Sequence, residues 1–441
     1  MDHVDPFLFG TQRINEQGHL EIGGCDTLDL AAEFGTPLYV LDEALVRSTC
    51  NAYVTEFGKR LERVEIAYAG KALLTTALCR IVRQEGMALD VASPGELHTA
   101  LKAGFPVGHI KMHGNFKSDM ALAMALEHGV GRVVADSLSE LERLSKMAVE
   151  MGKKAEVLIR VGPGIKTQTH SYIQTGQADS KFGLSIASGA AMEGIKLALS
   201  LPGIDLRGLH CHIGSQLFGL DSYARTVEMM TEFIRLVRAE TNWTCDELDL
   251  GGGLGIAYTP EDAPPSVAEL ADVICPALKS AAEAQGLPLP KLILEPGRSI
   301  VGPAGTTLYT VGPVKVIPGV RTYVAVDGGL SDNPRPALYE AEYTALVANK
   351  AKQPATVPVR VSGSHCETDT LIPETPLQPV EEGDVIAVFC TGAYNHAMAS
   401  NYNRFRRPAM VVVMEGKADL IYERETLDDL VAHDVIPDRL R

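Results

Sequence analysis

The sequence predicts an α/β protein in which a (β/α)8 barrel of the TIM type is joined to a smaller, mostly antiparallel β domain. Eight short apolar runs with the character of β-strands begin between residues 64 and 291, and helical runs separate them. Strands and helices that alternate at this spacing give a parallel sheet, and eight such units favour a closed barrel over an open sheet. After Pro303 the pattern changes to short β-branched runs divided by turn residues, which predicts the β domain.

Residues 1–42 precede the barrel. A short strand is predicted over residues 20–22, and Asp26 is placed to cap a short helix that ends at Gly35. A further strand over residues 37–41 is expected to join the C-terminal β domain, so that the barrel is an insertion within it. The predicted divisions are residues 1–42 for the N-terminal segment, 43–305 for the barrel and 306–441 for the β domain.

The barrel region opens with an amphipathic helix over residues 43–57, and further helices are predicted over 95–103, 117–128 and 138–151. The gap between the fifth and sixth strands is longer and contains a loop insertion at residues 169–176. The eight strands are predicted to begin near Val64, Met87, His109, Arg132, Ala155, Ile204, Glu247 and Lys291.

The C-terminal region carries six β-branched runs, and Asp327-Gly-Gly and Glu382-Gly-Asp are among the turns between them. These runs predict strands over residues 307–316, 322–327, 357–362, 385–389, 409–414 and 420–423.

Composition narrows the class of protein. A chain of 441 residues is long enough for two domains, and its net charge of −16 argues against a nucleic-acid or anionic-membrane partner. No apolar run is long enough to span a membrane, and the N-terminus lacks the features of a signal peptide. The eight cysteines are scattered without a C-x-x-C pair, which suits reduced thiols better than disulfides or zinc. We therefore expect a cytoplasmic protein.

Lys71 follows the first barrel strand, at the end where such barrels carry their chemistry. A lysine held there can lose its proton and form a Schiff base with a carbonyl group. An ordinary surface lysine would give the same local pattern, but every later strand also ends in polar or reactive residues. These are Asp90 and Ser93; His113 and Asn115; Asp136; Arg160; His210, His212 and Ser215; Gly251–Gly255; and Glu295–Arg298.

The glycine run at residues 251–255 is suited to closing backbone N–H groups on a phosphate, although a plain tight turn has the same composition. The run does not match G-x-G-x-x-G, so a dinucleotide fold is not supported. Arg298 adds a cation and Ser215 a hydroxyl donor. Together these residues predict a phosphate site late in the barrel.

Glu295 stands beside Arg298 and either forms a salt bridge with it or faces the ring nitrogen of a heterocyclic cofactor, which a carboxylate keeps protonated. His210 and His212 alternate in a strand pattern and are expected to face the same way. They could bind a metal ion, or one ring could stack on a cofactor while the other packs in the core. We favour stacking and expect no metal.

The C-terminal region adds three candidate segments. Cys366 and Glu367 lie together in a predicted loop, where a thiol among polar neighbours is a candidate acid or nucleophile. Arg335 and Tyr339 follow a turn, and Gly392-Ala-Tyr-Asn395 follows a strand.

Taken together, these residues resemble the alanine-racemase-like (fold type III) family of pyridoxal-phosphate enzymes, and within it the amino-acid decarboxylases. The resemblance covers nearly the whole chain, from Glu33 to Leu430. It is carried by Tyr68-Ala-Gly-Lys-Ala72, His113-Gly-Asn115, Asp179-Ser-Lys-Phe-Gly183, His210-Cys-His-Ile-Gly-Ser-Gln216, Gly251–Gly255, Glu295-Pro-Gly-Arg298, Cys366-Glu367 and Gly392-Ala-Tyr394.

The resemblance implies a PLP-dependent decarboxylase that converts meso-2,6-diaminopimelate to L-lysine and CO2. It implies that Lys71 carries the cofactor, that His212 stacks on its ring and that Glu295 pairs with its ring nitrogen. The phosphate would be held by Ser215, Gly253, Gly255, Gly297, Arg298 and Tyr394. The substrate would be bound by Arg298, Arg335, Tyr339, Glu367 and Tyr394.

The family also implies a homodimer with shared active sites, because Cys366 and Glu367 would serve the site of the partner subunit. Cys366 would donate the proton after CO2 leaves, and Glu367 would hold the distal ammonium group of the substrate.

The sequence departs from the family pattern at Leu73, at Pro94-Gly95-Glu96 and at Thr368-Asp369. The last departure lies near the far end of the substrate, which keeps open a sister decarboxylase of another basic or carboxylated amino acid. A racemase on the same fold is disfavoured, because racemases pair the ring nitrogen with arginine. A metal-dependent barrel hydrolase that uses His-x-His is a further alternative, but it does not account for the glycine run. A non-catalytic PLP-binding protein is also possible, but it does not account for the C-terminal domain with Cys366 and Glu367.

Overall fold

The computed structural model describes residues 7–164 and 181–441. The predicted loop insertion at residues 169–176 and the first two residues of Asp179–Gly183 lie outside the described residues. The described chain divides into two compact units. One comprises the described part of residues 1–46 together with 257–262 and 300–441, and the other comprises the described part of 47–256 together with 263–299.

The N-terminal segment begins with three short antiparallel strands and one helix. The helix starts where Asp26 accepts a hydrogen bond from the N–H of Leu28, and it ends at Gly35, whose φ is 70°. The elements are β1 (Arg13–Ile14), β2 (Leu20–Ile22), β3 (Cys25–Asp26), α1 (Thr27–Phe34) and β4 (Leu38–Asp42).

Within the described residues, eight parallel strands close on themselves and confirm the predicted (β/α)8 barrel. The ring runs through β5 (Val64–Ala69), β6 (Ala88–Val91), β7 (Ile110–Met112), β8 (Arg132–Ala135), β9 (Ala155–Gly162), β11 (Ile204–His210), β12 (Glu247–Asp249) and β13 (Lys291–Leu294), and the two-residue β10 (Leu184–Ser185) pairs with β9 outside it. Pairing of β13 with β5, and of β8 with β9, closes the barrel.

Helices follow the strands and start at residues with capping side chains. Thr75, Ser93, Ser118, Ser137 and Ser266 each accept a hydrogen bond from a backbone N–H in the first turn of the helix that follows. The helices are α2 (Glu43–Gly58), α3 (Thr76–Gln84), α4 (Pro94–Lys102), α5 (Asp119–His128), α6 (Leu138–Glu150), α7 (Ala190–Ser200), α8 (Asp221–Thr241), α9 (Val267–Ala284) and α10 (Arg298–Val301).

The barrel interior has an apolar layer above a charged one. Val134, Leu158 and Ile293 form a fully buried cluster. Nearer the amino ends of the strands, Glu65 forms ion pairs with Lys111, which is buried, and with Lys291, whose Nζ lies 2.9 Å from Oε2 of the carboxylate. Because each buried charge has a partner, this layer is compatible with a barrel core.

The unit that includes residues 300–441 contains a mostly antiparallel sheet into which the N-terminal segment inserts, as predicted. Strand β4 lies between β14 and β20, antiparallel to the first and parallel to the second. The elements are β14 (Gly305–Ile317), β15 (Arg321–Val326), α11 (Arg335–Tyr339), β16 (Ala345–Val347), β17 (Val357–Ser362), β18 (Thr370–Leu377), β19 (Val385–Val388), β20 (Ala409–Met414) and β21 (Lys417–Tyr422).

Two strands of this sheet are not predicted from sequence. Strand β16 has only three residues, too few for a recognisable pattern. Strand β18 contains Pro373 and Pro376, which argue against a strand unless it lies at the edge of a sheet. Among the described residues β18 is an edge strand, paired only with β17. No helix of the described chain combines the length and the apolar character needed to cross a membrane.

Candidate active site

Lys71 lies in a short 3₁₀ turn, Gly70–Ala72, directly after β5. Its side chain is exposed while Gly70 and Ala72 on either side are buried. The end of the strand is held by a hydrogen bond from the N–H of Ala69 to the carbonyl of Pro296, at 3.0 Å. A Cβ at Gly297 would lie 3.2 Å from the carbonyl oxygen of Ala69, so glycine there allows the loop after β13 to approach the lysine turn.

Glu295 lies in that loop, buried between two histidine rings. Its Oε1 is 2.8 Å from Nε2 of His113, and its Oε2 is 3.2 Å from Nε2 of His210. The same Nε2 of His113 lies 2.7 Å from Oδ1 of Asp90. Four predicted strand ends, those of β6, β7, β11 and β13, therefore meet in one buried row of charged and polar side chains.

The protonation of this row follows from its charges. Burial opposes the charged imidazole, but the carboxylates of Asp90 and Glu295 outweigh burial and raise the pKa of His113 to about 9. Burial likewise opposes the charged form of Glu295, yet His113 and His210 hold the pKa of that carboxyl well below its usual value. Burial lowers the pKa of His210 to about 4. Near neutral pH the row therefore contains an ionised Glu295, a charged His113 and a neutral His210.

His212 lies in the loop after β11 rather than in the strand, because the strand ends at His210. The two rings therefore do not share the regular strand alternation expected from sequence. A Cβ at Gly251 would come within 2.6 Å of Nδ1 of His212. Burial, and the neighbouring positive charge of Lys71, hold the pKa of His212 well below its usual value, so this ring is neutral.

The glycine run packs closely against two other loops. Gly253 has φ of 116°, and a Cβ at that position would lie 2.5 Å from the carbonyl oxygen of Gly214. A Cβ at Gly252 would lie 2.1 Å from the carbonyl oxygen of Glu295. The run is therefore required for packing as well as suited to binding an anion. The N–H of Gly255 donates to the carbonyl of Leu217 at 3.0 Å, so in this structure it is engaged within the protein.

Arg298 and Ser215, two residues of the predicted phosphate site, are in direct contact. Nη2 of the buried arginine lies 3.0 Å from Oγ of Ser215. Two other strand ends pair with each other, since Nε of Arg160 lies 3.9 Å from Oδ1 of Asp136.

Four of the five predicted substrate residues, all except Arg298, lie in the β-sheet unit. Arg335 begins α11 and is buried, and its Nη1 donates to the hydroxyl groups of Tyr258 and Tyr343 at 2.9 and 2.8 Å. Its guanidinium carbon lies 6.0 Å from the ring centroid of Tyr339. No carboxylate of the described chain forms an ion pair with it. Tyr258 and Tyr343 are absent from the sequence-based site, although Tyr258 follows the glycine run closely.

Tyr394 lies in a constrained loop. Its φ is 63°, which non-glycine residues seldom adopt, and Cys390 has φ of 57°. Between them, a Cβ at Gly392 would lie 1.7 Å from the carbonyl oxygen of Val301. Backbone strain of this kind persists where the surroundings fix it and is common at functional loops.

Cys366 and Glu367 are both exposed. The N–H of Cys366 donates to Oδ1 of Asn403 at 3.1 Å, and Oε1 of Glu367 accepts from the hydroxyl of Tyr402 at 2.6 Å. The preceding His365 is buried, and its Nδ1 lies 2.5 Å from Oδ2 of Asp369. The loop thus has a fixed base and presents the thiol and the carboxylate at its surface.

Comparison with known proteins identifies the family. A family model for the pyridoxal-binding domain of pyridoxal-dependent decarboxylases matches residues 44–302. The diaminopimelate decarboxylase of Bacillus subtilis is 46% identical over 97% of this chain and 98% of its own length. The chain belongs to the diaminopimelate decarboxylase family.

Solved structures of this diaminopimelate decarboxylase family agree. The enzyme of M. jannaschii, crystallised with L-lysine, superposes with a TM-score of 0.92 at 36% identity and covers 98% of this chain and 99% of its own. The enzyme of Helicobacter pylori, also complexed with L-lysine, gives a TM-score of 0.85 at 29% identity over 92% of this chain and 98% of its own. The chain is thus a PLP-dependent decarboxylase, and the barrel hydrolase alternative is set aside.

The barrel unit fits the cofactor of this decarboxylase family. PLP presents an aldehyde, a ring nitrogen and a phosphate, and the unit offers an exposed amine, a buried ionised carboxylate and an arginine–serine pair beside a glycine run. Oε1 of Glu295 is buried and has no well-aligned hydrogen bond within the described chain, which leaves it able to accept one. His113, His210 and Glu295 also have potential ligand atoms within 4.8 Å of one another. Because both carboxylate oxygens of Glu295 already contact the rings of His113 and His210, we assign no metal ion to these three residues.

Proposed function

We propose that this chain decarboxylates meso-2,6-diaminopimelate to L-lysine and CO2, the last step of lysine biosynthesis, with PLP as its cofactor. The observation that carries the proposal is the buried guanidinium of Arg335, whose hydrogen-bond partners in the described chain are two neutral phenols. A buried cation without an anionic partner is costly. A carboxylate at the far end of the substrate supplies that partner, and diaminopimelate has one whereas lysine and ornithine do not.

We assign the cofactor contacts to the barrel unit and to one loop of the other unit. Lys71 would provide the amine that binds the aldehyde, the neutral ring of His212 would stack on the cofactor, and Glu295 would accept a hydrogen bond from the ring nitrogen. The phosphate is assigned to Ser215, Gly253, Gly255, Gly297, Arg298 and Tyr394. At Gly255 the contact requires that the N–H leave the carbonyl of Leu217 or share its hydrogen bond.

When bound, PLP supplies an electron sink for the pair released as the carboxylate leaves as CO2. Glu295 keeps the ring nitrogen protonated, because its low pKa leaves the shared proton on the nitrogen. Arg298, Arg335, Tyr339 and Tyr394 would bind the substrate, and Arg335, by holding the distal carboxylate, would leave the other carboxylate as the one that departs. A bidentate arginine–carboxylate pair fixes both distance and direction, so these residues decide which carboxylate leaves.

We further propose a cytoplasmic homodimer in which Cys366 and Glu367 act in the site of the partner subunit. Both side chains are exposed at the tip of a loop whose base is fixed by His365 and Asp369. The thiol of Cys366 donates the proton that replaces CO2, and the carboxylate of Glu367 binds the distal ammonium group.

The departure at Thr368-Asp369 bears on substrate choice. Asp369 is buried and also accepts a hydrogen bond from the N–H of Leu330 at 3.0 Å. The aspartate therefore supports the loop from inside, while the exposed tip keeps Cys366 and Glu367. The departure therefore leaves in place the two side chains assigned to proton donation and to binding of the distal ammonium group.

Product analysis tests the proposal. The PLP-loaded protein is incubated with meso-diaminopimelate, and CO2 and amino-acid products are quantified. We expect CO2 and L-lysine in equal amounts, dependent on PLP. Absence of L-lysine, with CO2 released from another amino acid instead, would replace this substrate by that of a sister decarboxylase.

A further inference from the structure

The buried row at the carboxyl ends of the barrel strands contains one residue without an assigned task. His113 follows β7 and lies between Asp90, the third residue of β6, and Glu295, which follows β13. Its ring meets that of His210 edge to face, with centroids 5.0 Å apart. All four residues are buried in the described chain, and none has more than 9% of its surface exposed.

A single nitrogen of His113 contacts the carboxylates of both Asp90 and Glu295. Nε2 lies 2.7 Å from Asp90 and 2.8 Å from Glu295, and neither contact has the alignment of a full hydrogen bond. An N–H placed between two acceptors is held mainly by charge, because its hydrogen cannot point at both. This arrangement favours an imidazolium ion over a neutral ring.

Other charged groups surround this row. Lys111 on β7 and Asp249 on β12 act on Glu295, while Lys71 and Glu96 lie close enough to Asp90 to influence it, and Arg160 acts on His210. Burial, and then the charge of Glu295, raise the pKa of Asp249 well above its usual value, so this carboxyl is neutral. The charge that touches Glu295 directly is that of His113.

The backbone around His113 is fixed. Its N–H donates to the carbonyl of Val91 at 2.7 Å. Four residues later, Nζ of the buried Lys117 donates to the carbonyls of Gly114 at 2.8 Å and Val134 at 2.6 Å. A side chain held in this way keeps its position while ligands come and go.

We propose that His113 is a positioning residue that holds Glu295 as the ionised partner of the cofactor ring nitrogen. A positive charge against Glu295 stabilises the carboxylate, so the proton between the carboxylate and the ring stays on the ring. Without that charge the proton moves toward Glu295, and the ring becomes a weaker electron sink. This rests on the proposed function, because it requires Glu295 to face the ring nitrogen.

Nitrogen NMR of protein loaded with PLP labelled with ¹⁵N at the ring position tests this directly. In wild-type protein at neutral pH we expect the signal of a protonated ring nitrogen. In His113→Asn and His113→Gln, which both lack the charge, we expect the signal to move toward the unprotonated position. We also expect kcat to fall about tenfold or more with a smaller change in KM. His109→Asn, an exposed histidine on the same segment, is the matched control and should behave as wild type.

A wild-type signal in the folded, PLP-loaded His113 variants would overturn the proposal, and so would an unprotonated ring nitrogen in wild type. Both results leave the proposed function standing if L-lysine is still formed. Should neither variant fold, the wild type is titrated instead. The ring-nitrogen signal should then change as pH rises through about 9, where His113 loses its charge, and a signal constant to pH 10 contradicts the proposal.

Discussion

Lys71 combines an exposed amine with a buried, closely packed backbone. Its neighbours Gly70 and Ala72 are buried, and the adjoining strand end is bonded to the loop that carries Glu295. The amine can therefore move toward a ligand while its attachment point stays fixed. Such a lysine is suited to holding an aldehyde cofactor.

Replacing Lys71 by alanine should remove the absorbance of lysine-bound PLP and abolish turnover without unfolding the barrel, because only an exposed side chain is lost. Absorbance spectra and circular dichroism of the purified protein check this. Lys102→Ala, also exposed at the surface, should retain the spectrum. A Lys71→Ala protein with both the absorbance and the activity of wild type would refute the assignment.

Arg335→Leu should lower kcat/KM for meso-diaminopimelate by about 2–4 kcal/mol in transition-state binding, because the distal carboxylate is left desolvated and unpaired. PLP absorbance should barely change, since the cofactor is assigned to other residues. Arg321→Leu on β15 is the matched control. If kcat/KM falls equally in the two variants, or is unchanged in Arg335→Leu, Arg335 does not bind the distal carboxylate.

Most candidate residues are recognisable from the sequence, but their contacts with one another are not. Asp90, His113 and Glu295 are each recognisable as polar residues at strand ends, yet only barrel closure brings β13 within reach of β6 and β7. The phenols that hold Arg335 were missed because Tyr258 is 77 positions away in the chain. The engaged N–H of Gly255 depends on the neighbouring loop and has no signature in the sequence.

At the scale of elements, a buried ion pair joins three parts of the barrel. Nζ of Lys117 lies 2.8 Å from Oε1 of Glu140 on α6 and also bonds the loop after β7 and the strand β8. The pair therefore fixes the loop that carries His113 to its neighbours.

Lys117→Met should destabilise the protein by about 3–5 kcal/mol, because it leaves the buried carboxylate of Glu140 unpaired. Lys117→Met combined with Glu140→Leu should recover most of this loss, since no buried charge remains. Urea unfolding of both variants measures the difference. If the single variant is as stable as wild type, the pair has no such structural role.

The charged layer of the barrel should make stability sensitive to acid. Burial would raise the pKa of Glu65, but Lys111 and Lys291 outweigh burial and lower it to about 2. A lowered pKa in the folded state contributes stability above the unfolded value, near 4.5, that is lost as pH falls toward 2. The expected decrease in the free energy of unfolding is about 3 kcal/mol.

Unfolding free energies measured from pH 5 downward test this expectation. Glu65→Gln combined with Lys111→Met removes the titrating carboxylate without stranding a buried lysine, so its stability should fall less steeply with acid than that of wild type. Parallel pH profiles for the two proteins would show that Glu65 contributes nothing to the acid dependence.

The elements were predicted unevenly, for physical reasons. The eight barrel strands begin at or within one residue of the predicted positions, because buried parallel strands are apolar runs with sharp ends. Strand β18 was missed because Pro373 and Pro376 are compatible with a strand only at an edge, and edge position is a property of the sheet rather than of the segment.

At the scale of the whole molecule, the N-terminal strand β4 ties the beginning of the chain to its last third. It pairs with β14 and β20, so the unit that contains Arg335 and Cys366 is completed only by residues before the barrel. This arrangement was predictable, because an apolar run before the first barrel strand needs a sheet to join.

The proposed homodimer can be tested by mixing two inactive variants. Lys71→Ala and Cys366→Ala subunits should form heterodimers with one intact site and one doubly mutated site. Random exchange makes half of the dimers mixed, so roughly a quarter of wild-type activity should appear. Subunit exchange is confirmed with differently tagged chains. Activity that stays at the level of the separate variants after exchange would contradict shared active sites.

The proposed substrate and activity are tested most directly by a competition experiment with the wild-type, PLP-loaded protein. Meso-diaminopimelate, L-lysine and L-ornithine are supplied together at equal concentration, each with a distinct carboxyl label, and CO2 from each is followed. We expect release almost entirely from diaminopimelate, because all three amino acids offer an ammonium group to Glu367 but only diaminopimelate also offers a carboxylate to Arg335. Preferential release from lysine or ornithine would contradict the proposal.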